Sequence, residues 1–298
     1  MATTAATTAT AEGRARMPGA ESHALVHGIE MLGRRHGRLL IVVGAFDGLH
    51  RGHLYLLRHL RHAARRLDAL PAVLTFDHHP DAILRGVAPP VLCDPEERLV
   101  RLDRAGVAVT IVEHFDAALR VTPYEAFVER LRAGTDLAGF LMTPDAAFGH
   151  ERRGTPEALA DLGRRDGFRV VVVPPLRIAG RPVRSTGIRE AIADGDLRTA
   201  GRLLGRRVAV AGERSAADGE ARLRFALPVA LPPSGRYEVR MEPAWRPSTG
   251  APGPVVGGSV DVGRDPDRVV LHRRGGLPDA PRLRAAFVPL AGPAEPRR

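Results

Sequence analysis

The residues best suited to chemistry stand together in one short stretch, Gly44-Ala45-Phe46-Asp47-Gly48-Leu49-His50-Arg51-Gly52-His53. It follows an apolar run, Leu39-Leu40-Ile41-Val42-Val43, and leads directly into a helical pattern. Three glycines let the backbone approach an anion closely, and a helix start offers unpaired N–H groups at the positive end of its dipole. His50 and His53, separated by Arg51 and Gly52, can face the same ligand. Imidazoles so placed donate hydrogen bonds to charge developing on a phosphate, which stabilises a transition state electrostatically. In an open parallel sheet, ligands bind outside the carboxyl ends of the strands, where this loop falls. A histidine pair alone reads equally well as ordinary polar loop residues. Strand, glycine loop, His-x-Gly-His and helix in succession favour a phosphate site.

Composition narrows the means. The 298 residues include 44 basic side chains against 34 acidic ones, for a formal charge of +10. All 44 are Arg, and the chain has no Lys, Asn or Gln. That rules out a Schiff-base lysine, a phosphate-loop lysine, a Cys-His-Asn triad and an N-glycosylation sequon. A grip on phosphate therefore falls to Arg, His, backbone N–H groups or a metal. The one cysteine, Cys93, excludes an intramolecular disulfide and a multi-cysteine zinc site, in keeping with a cytoplasmic location. The arginines are interleaved with acids rather than gathered in a stripe, and aromatics are only 4% of the chain, so nucleic acid is not an expected partner. No apolar run reaches the length of a membrane span. Met1 to Thr10 is an Ala/Thr run without a charged segment ahead of an apolar core, so it is not a secretory signal, and residues 1–23 are expected to be a disordered tail.

The elements that must position the loop alternate in kind. Residues 39–43, 72–76, 107–112, 140–142 and 170–173 read as buried strands, and helical patterns lie between them. The first helix places Leu54, Leu57, Leu60, Ala64 and Leu67 at helical spacing. Asp94-Pro95, Thr122-Pro123-x-Glu125 and Pro156 are helix starts, and residues 185–192 and 196–204 close the region with two more helices. Strict alternation predicts a parallel, doubly wound α/β sheet. Past Gly205 the texture changes: 13 of the 25 prolines lie in residues 206–298, and short alternating runs replace helical spacing. Runs at 221–227, 237–241, 260–262, 269–272 and 283–288 predict a small all-β barrel or sandwich, with the domain boundary near 205.

The loop resembles the signature of the bacterial FAD synthetase domain, the adenylyltransferase half of bifunctional riboflavin kinase/FMN adenylyltransferases in the His-x-Gly-His nucleotidyltransferase superfamily. The likeness runs in order from residue 24 to 206, through Thr75-Phe76-Asp77-x-His79-Pro80, Asp145-x-x-Phe148-Gly149, Ser185-Thr186-x-Ile188-Arg189 and Gly195-Asp196 to Ala200-x-x-Leu203-Leu204-Gly205-Arg206. It implies a Rossmann-like nucleotidyltransferase sheet at 24–205 and a degenerate riboflavin-kinase-like β domain at 206–298. It also implies transfer of AMP from ATP to FMN, giving FAD and pyrophosphate.

By the same resemblance, His50, His53 and Arg189 are catalytic. Gly44, Phe46, Asp47, Gly48, Gly52, Ser185, Thr186 and Ile188 bind ATP, while Asp145 and Phe148 contact the flavin. Asp77, at a strand end near the phosphates, would hold Mg²⁺. Ser185 and Thr186 open a helix, so they cap it, bind phosphate, or do both. Arg189 either grips phosphate with its planar fork or is a solvated helix residue. His79 shapes or packs its loop, and Phe148 faces the ligand or simply packs.

Several positions depart from the family. Ala45 stands where an Asn is usual, His78 where a Pro is usual, Ala146 where an aromatic is usual and Gly187 where an Arg is usual. Arg184 is a candidate to restore that last charge. The kinase segment Gly-Phe-Pro-Thr-Ala-Asn is missing, and Val270 occupies the place of the kinase's catalytic Glu, so no kinase activity is expected. Two alternatives remain open: transfer to another phosphorylated acceptor such as a flavin analogue, and a catalytically reduced flavin-nucleotide-binding regulator.

Overall fold

The computed structural model describes residues 23–217, 219–246, 253–264, 269–273 and 276–289. The expected tail lies outside these, apart from His23, whose Nε2 is 2.8 Å from Thr110 Oγ1. Six strands form one parallel sheet: β1 (Ala24–His27), β2 (Arg38–Val43), β3 (Leu70–Phe76), β4 (Val109–Glu113), β5 (Asp136–Met142) and β6 (Arg169–Val172). Their order is β1-β4-β3-β2-β5-β6, so the winding reverses between β2 and β5. The helices are α1 (Arg51–Arg66), α2 (Pro80–Arg85), α3 (Pro95–Arg104), α4 (Ala117–Arg120), α5 (Tyr124–Gly134) and α6 (Pro156–Asp166). Apolar clusters built around Ile41, Leu74 and Phe140 and around Leu40, Val73 and Leu141 pack the two faces of the sheet. That is why its central strands, β2 to β5, read as apolar runs rather than as alternation.

A two-residue hairpin, β7 (Arg177–Ile178) and β8 (Arg181–Pro182), leads into α7 (Ser185–Ala193) and α8 (Leu197–Leu204). The strands β9 (Ala209–Ala217), β10 (Glu220–Arg224), β11 (Gly235–Pro243), β12 (Val256–Val262), β13 (Val269–His272) and β14 (Arg282–Phe287) close an antiparallel barrel in the order β10-β13-β12-β11-β14-β9. Full closure removes exposed strand edges. The apolar sides of α7 and α8, through Ile188, Ile192, Leu197 and Leu204, share one core with Val239, Met241 and Phe287 of the barrel. Ahead of α3, the Val91 N–H donates to Pro228 O at 2.8 Å and Val91 O accepts from the Ala230 N–H at 3.0 Å.

Three local expectations need correction. Leu54 is 42% exposed rather than part of the buried stripe. The inward stripe of α1 is 53, 57, 60, 64, so a histidine occupies the first-turn position that the periodicity gave to leucine. Thr122 does not cap α5; its hydroxyl donates to Ala118 O at 2.8 Å and closes α4. Ser185 and Thr186 do not cap α7 either, because the cap position is Arg184, with no side-chain hydrogen bond to the helix.

Candidate functional site

The chain turns sharply where β2 ends. The Gly44 N–H donates to Leu74 O at 3.0 Å, which extends the β2–β3 ladder by one residue. Phe46 (φ 51°), Gly48 (φ 76°) and Leu49 (φ 36°) then take left-handed conformations. For Phe and Leu this is strained backbone, which persists where packing holds it. Phe46 and Leu49 are 3% and 2% exposed and supply that packing. A Cβ on Gly48 would lie 2.9 Å from Leu92 Cβ, and one on Gly52 would lie 2.9 Å from Val183 O and 3.0 Å from the His50 ring. Neither site admits a larger residue without movement.

His50 caps α1, its Nδ1 accepting from the His53 N–H at 3.2 Å. That contact leaves the ring hydrogen on Nε2 of neutral His50. The two imidazoles stack, with centroids 3.7 Å apart and planes 13° apart, and Phe46 lies 5.0 Å from His53. Burial, helped by the charges of Arg206 and Arg189, pushes His50 down to about 4. Burial, then His50 and Arg206, drives His53 well below the usual imidazole value. Both rings are therefore neutral hydrogen-bonding groups at pH 7. His53 Nδ1 is buried without a protein partner, an arrangement that costs free energy unless a ligand satisfies it.

Asp47 and Arg189 join the loop to α7. Arg189 Nη2 donates to Asp47 Oδ2 at 2.6 Å and its Nε to Pro90 O at 2.8 Å. Asp47 also accepts from the Leu92 N–H at 2.9 Å, and Ser185 Oγ donates to Asp47 O at 3.2 Å. The Asp47 carboxylate and most of the Arg189 fork are thus committed to the scaffold. Ile188 is wholly buried, so its side chain packs rather than meeting a nucleotide, and the buried Phe46 ring props Gly44 and His53. The first N–H groups of α7, with no side-chain cap, stand beside the histidine loop.

Beyond His53 opens a cavity of about 870 Å³, lined at the ends of β2 and β5 by residues from Val42 to Ala45 and from Phe140 to Thr143. This is the reversal point of the sheet, where open α/β folds bind ligands. Phe76, Phe115, Phe127, Phe140 and Phe148 line it, five of the chain's nine phenylalanines. In a protein so poor in aromatics, that concentration suits a flat aromatic ligand. Phe148 both lines the cavity and packs, 5.2 Å from Phe127 and 5.3 Å from Phe140. At the rim, Asp145 accepts from Thr143 Oγ1 at 2.8 Å and from Arg184 Nη2 at 2.6 Å, and these bonds hold its carboxyl below the usual range. Arg184 therefore ties the Asp145 loop to the start of α7.

Asp77 follows Phe76, the last residue of β3. Burial pushes its carboxyl up, but hydrogen bonds from His114 and His78 and the N–H groups of Phe115 and His78 outweigh it and hold Asp77 at about 2. His79 instead caps α2, accepting from the Asp81 N–H at 3.2 Å. Mg²⁺ demands oxygen ligands, whereas the side chains gathered at Asp77 are two imidazoles. This donor set does not fit a resident Mg²⁺.

Sequence reading missed Arg98, and named Arg206 only as the end of the closing segment. Arg98, on α3, donates from Nη1 to Ala45 O at 2.9 Å and from Nη2 to Phe76 O at 2.8 Å, tying together the ends of β2 and β3. Thr75 Oγ1 also donates to Ala45 O, at 3.1 Å. Arg206, half-buried just past α8, lies near His50 and Cys93. No local pattern marks Arg98, because an Arg on a helix face reads as solvated, and the closing segment gave Arg206 no role. Burial raises the Cys93 thiol to about 12, so it is no nucleophile.

A doubly wound sheet with a histidine-bearing glycine loop at its reversal point defines an α/β protein of the Rossmann-like class. The FAD synthetase family model matches residues 33–187, more than half of the chain, and the protein belongs to that family. It is 33% identical over 184 residues to a bifunctional riboflavin kinase/FMN adenylyltransferase of Haemophilus influenzae, covering 61% of this chain and 60% of that protein. It is 30% identical over 189 residues to the protein of the same name from Pseudomonas fluorescens, covering 63% and 61% respectively. The matched region thus spans about three fifths of these relatives. The crystal structure of a macrolide-efflux protein from Streptococcus pneumoniae superposes with a TM-score of 0.73 at 23% identity, covering 89% of this chain and 90% of that one. At that identity the likeness shows a shared fold. Among the described residues, no helix is long and apolar enough to cross a membrane.

Proposed function

We propose that this protein is an FMN adenylyltransferase acting in the cytoplasm, where both small-molecule substrates are found. An FMN phosphate oxygen attacks the α-phosphorus of ATP in line. The bond from that phosphorus to the bridging oxygen breaks, its electron pair leaves with pyrophosphate, and FAD remains. The observation that carries the reading is the pair of stacked, neutral imidazoles at the mouth of a phenylalanine-lined cavity. The cavity takes the isoalloxazine ring. His53 and His50 donate hydrogen bonds to the transferring phosphoryl group, and the uncapped N–H groups of Ser185, Thr186 and Gly187 receive the outgoing phosphates. Arg189 acts through Asp47, as a positioning residue. No covalent intermediate is required, so catalysis is positioning and charge stabilisation.

In the same reading, residues 24–205 carry out the transfer and the barrel of 206–298 is a buttress without riboflavin kinase activity. Val270 is 4% exposed and offers no base. The test supplies magnesium-ATP with FMN or riboflavin in separate reactions. FAD is expected from FMN, and no FMN or FAD from riboflavin. Folded protein that makes no FAD from FMN would refute the transferase reading, and phosphorylation of riboflavin would refute the buttress reading.

A further inference from the structure

The loops following β3 and β4 bring together three side chains that the proposed chemistry does not use. His114 Nδ1 lies 2.6 Å from Asp77 Oδ2, and His78 Nδ1 lies 3.1 Å from Asp77 Oδ1. One potential ligand atom from each of the three residues falls within 4.8 Å of the others. The two rings face each other nearly at right angles, with centroids 5.8 Å apart. We propose that Asp77, His78 and His114 form a binding site for a first-row transition cation of the Zn²⁺ class, held by one carboxylate oxygen and the two Nδ1 atoms, with its remaining positions open to water.

The donor chemistry selects the metal. Two imidazoles and a carboxylate suit Zn²⁺, Co²⁺ or Fe²⁺, whereas Mg²⁺ and Ca²⁺ prefer oxygen alone. Bonds of about 2.0–2.2 Å separate neighbouring ligand atoms by roughly 3–3.5 Å, so only small side-chain rotations are needed. The carboxylate is already oriented, because Asp77 Oδ1 accepts the N–H groups of His78 at 2.7 Å and Phe115 at 3.2 Å. Backbone support of this kind fixes a metal ligand's direction. The histidine side chains are 59% and 66% exposed, so a cation has access. Phe76 and Phe115, the chain neighbours of Asp77 and His114, line the cavity, which places the cation just behind its wall. His78 is also the position where the FAD synthetase pattern has proline, so the site is a property of this chain.

The test is binding itself and is independent of whether the chain makes FAD. Untagged, chelator-treated full-length protein is titrated with Zn²⁺ by calorimetry and with Co²⁺ by visible absorption, in excess Mg²⁺. The expected result is one tight equivalent that Mg²⁺ does not displace, with a raised Tm. His78→Ala and His114→Ala, both at exposed side chains, should lose that equivalent while keeping wild-type circular dichroism. Asp77→Asn should weaken it at least tenfold. No tight equivalent in the wild type, displacement by Mg²⁺, or binding unchanged in the histidine variants would each overturn the proposal.

Discussion

Arg189 Nη2 donates to Asp47 Oδ2 at 2.6 Å across 142 residues of sequence, locking the histidine loop to α7. Their side chains are 17% and 8% exposed, so the pair is largely shielded from solvent. Asp47→Ala strands the Arg189 charge and leaves the buried Leu92 N–H without its acceptor. Breaking a buried pair from one side costs about 3–5 kcal/mol, and urea unfolding should show a loss of that order. Arg189→Lys should not restore wild-type stability, because a single ammonium lacks the fork that reaches both Pro90 O and Asp47. A loss below about 1 kcal/mol for Asp47→Ala would mean that the pair is not a lock.

His50 carries a pH signature. Its folded value is about 4, against about 6.5 in an unfolded chain. The unfolded state therefore binds more protons between these limits, so stability is complete above pH 6.5 and falls as pH drops toward 4. The full window is worth about 3 kcal/mol. An NMR titration should place the His50 midpoint near 4, and kcat/KM should show no imidazole ionisation near pH 6.5. A His50 midpoint above 6 would contradict the buried, neutral pair.

How far this site was legible depended on whether the cause was local. Strands β2 to β5 could be read because burial on both faces makes each one a largely apolar run. β1 could not, since only Val26 of its four residues is buried. β9 escaped because small and polar residues dominate Ala209–Ala217. The histidine loop was visible in its glycines and spacing, yet the jobs of its members were not. Asp47 turns to Arg189, and Phe46 and Ile188 turn into the core, choices that only partners distant in sequence can dictate. The link from the barrel to α3 was invisible for the same reason.

Arg98 should matter to turnover more than to affinity. Its two nitrogens hold the carbonyls of Ala45 and Phe76, and so fix the loop that bears His50 and His53. Arg98→Met keeps the buried stem and removes the donors. Small displacements of a positioned group cost up to about 100-fold in rate. kcat for FAD formation should fall roughly 10- to 100-fold with less than a threefold change in KM for FMN, as stopped-time assays of FAD would show. An equal rise in KM with kcat unchanged would assign Arg98 to binding instead.

Arg284 makes the barrel part of the same scaffold. From β14 it donates to Glu97 Oε2 on α3 at 2.9 Å and to Glu242 Oε1 on β11 at 2.8 Å, all three side chains being 8% exposed or less. Trp245 lies against this cluster, its ring centroid 5.2 Å from the Arg284 guanidinium and 4.5 Å from that of Arg101. Removing Arg284 alone, as Arg284→Met, leaves the buried Glu242 without its cation and Glu97 with Arg101 as its remaining partner, a loss of about 3–5 kcal/mol. Replacing Glu97, Glu242 and Arg284 together with apolar residues should recover most of that stability, since a buried triad is often no better than good packing. Rate should behave differently. Glu97 is the neighbour of Arg98 on α3, so Arg284→Met should also slow FAD formation. Comparing unfolding and turnover for the single and triple variants separates the two effects. Turnover that stays at wild-type level in a measurably destabilised Arg284→Met would show that the barrel steadies the fold without steadying the site.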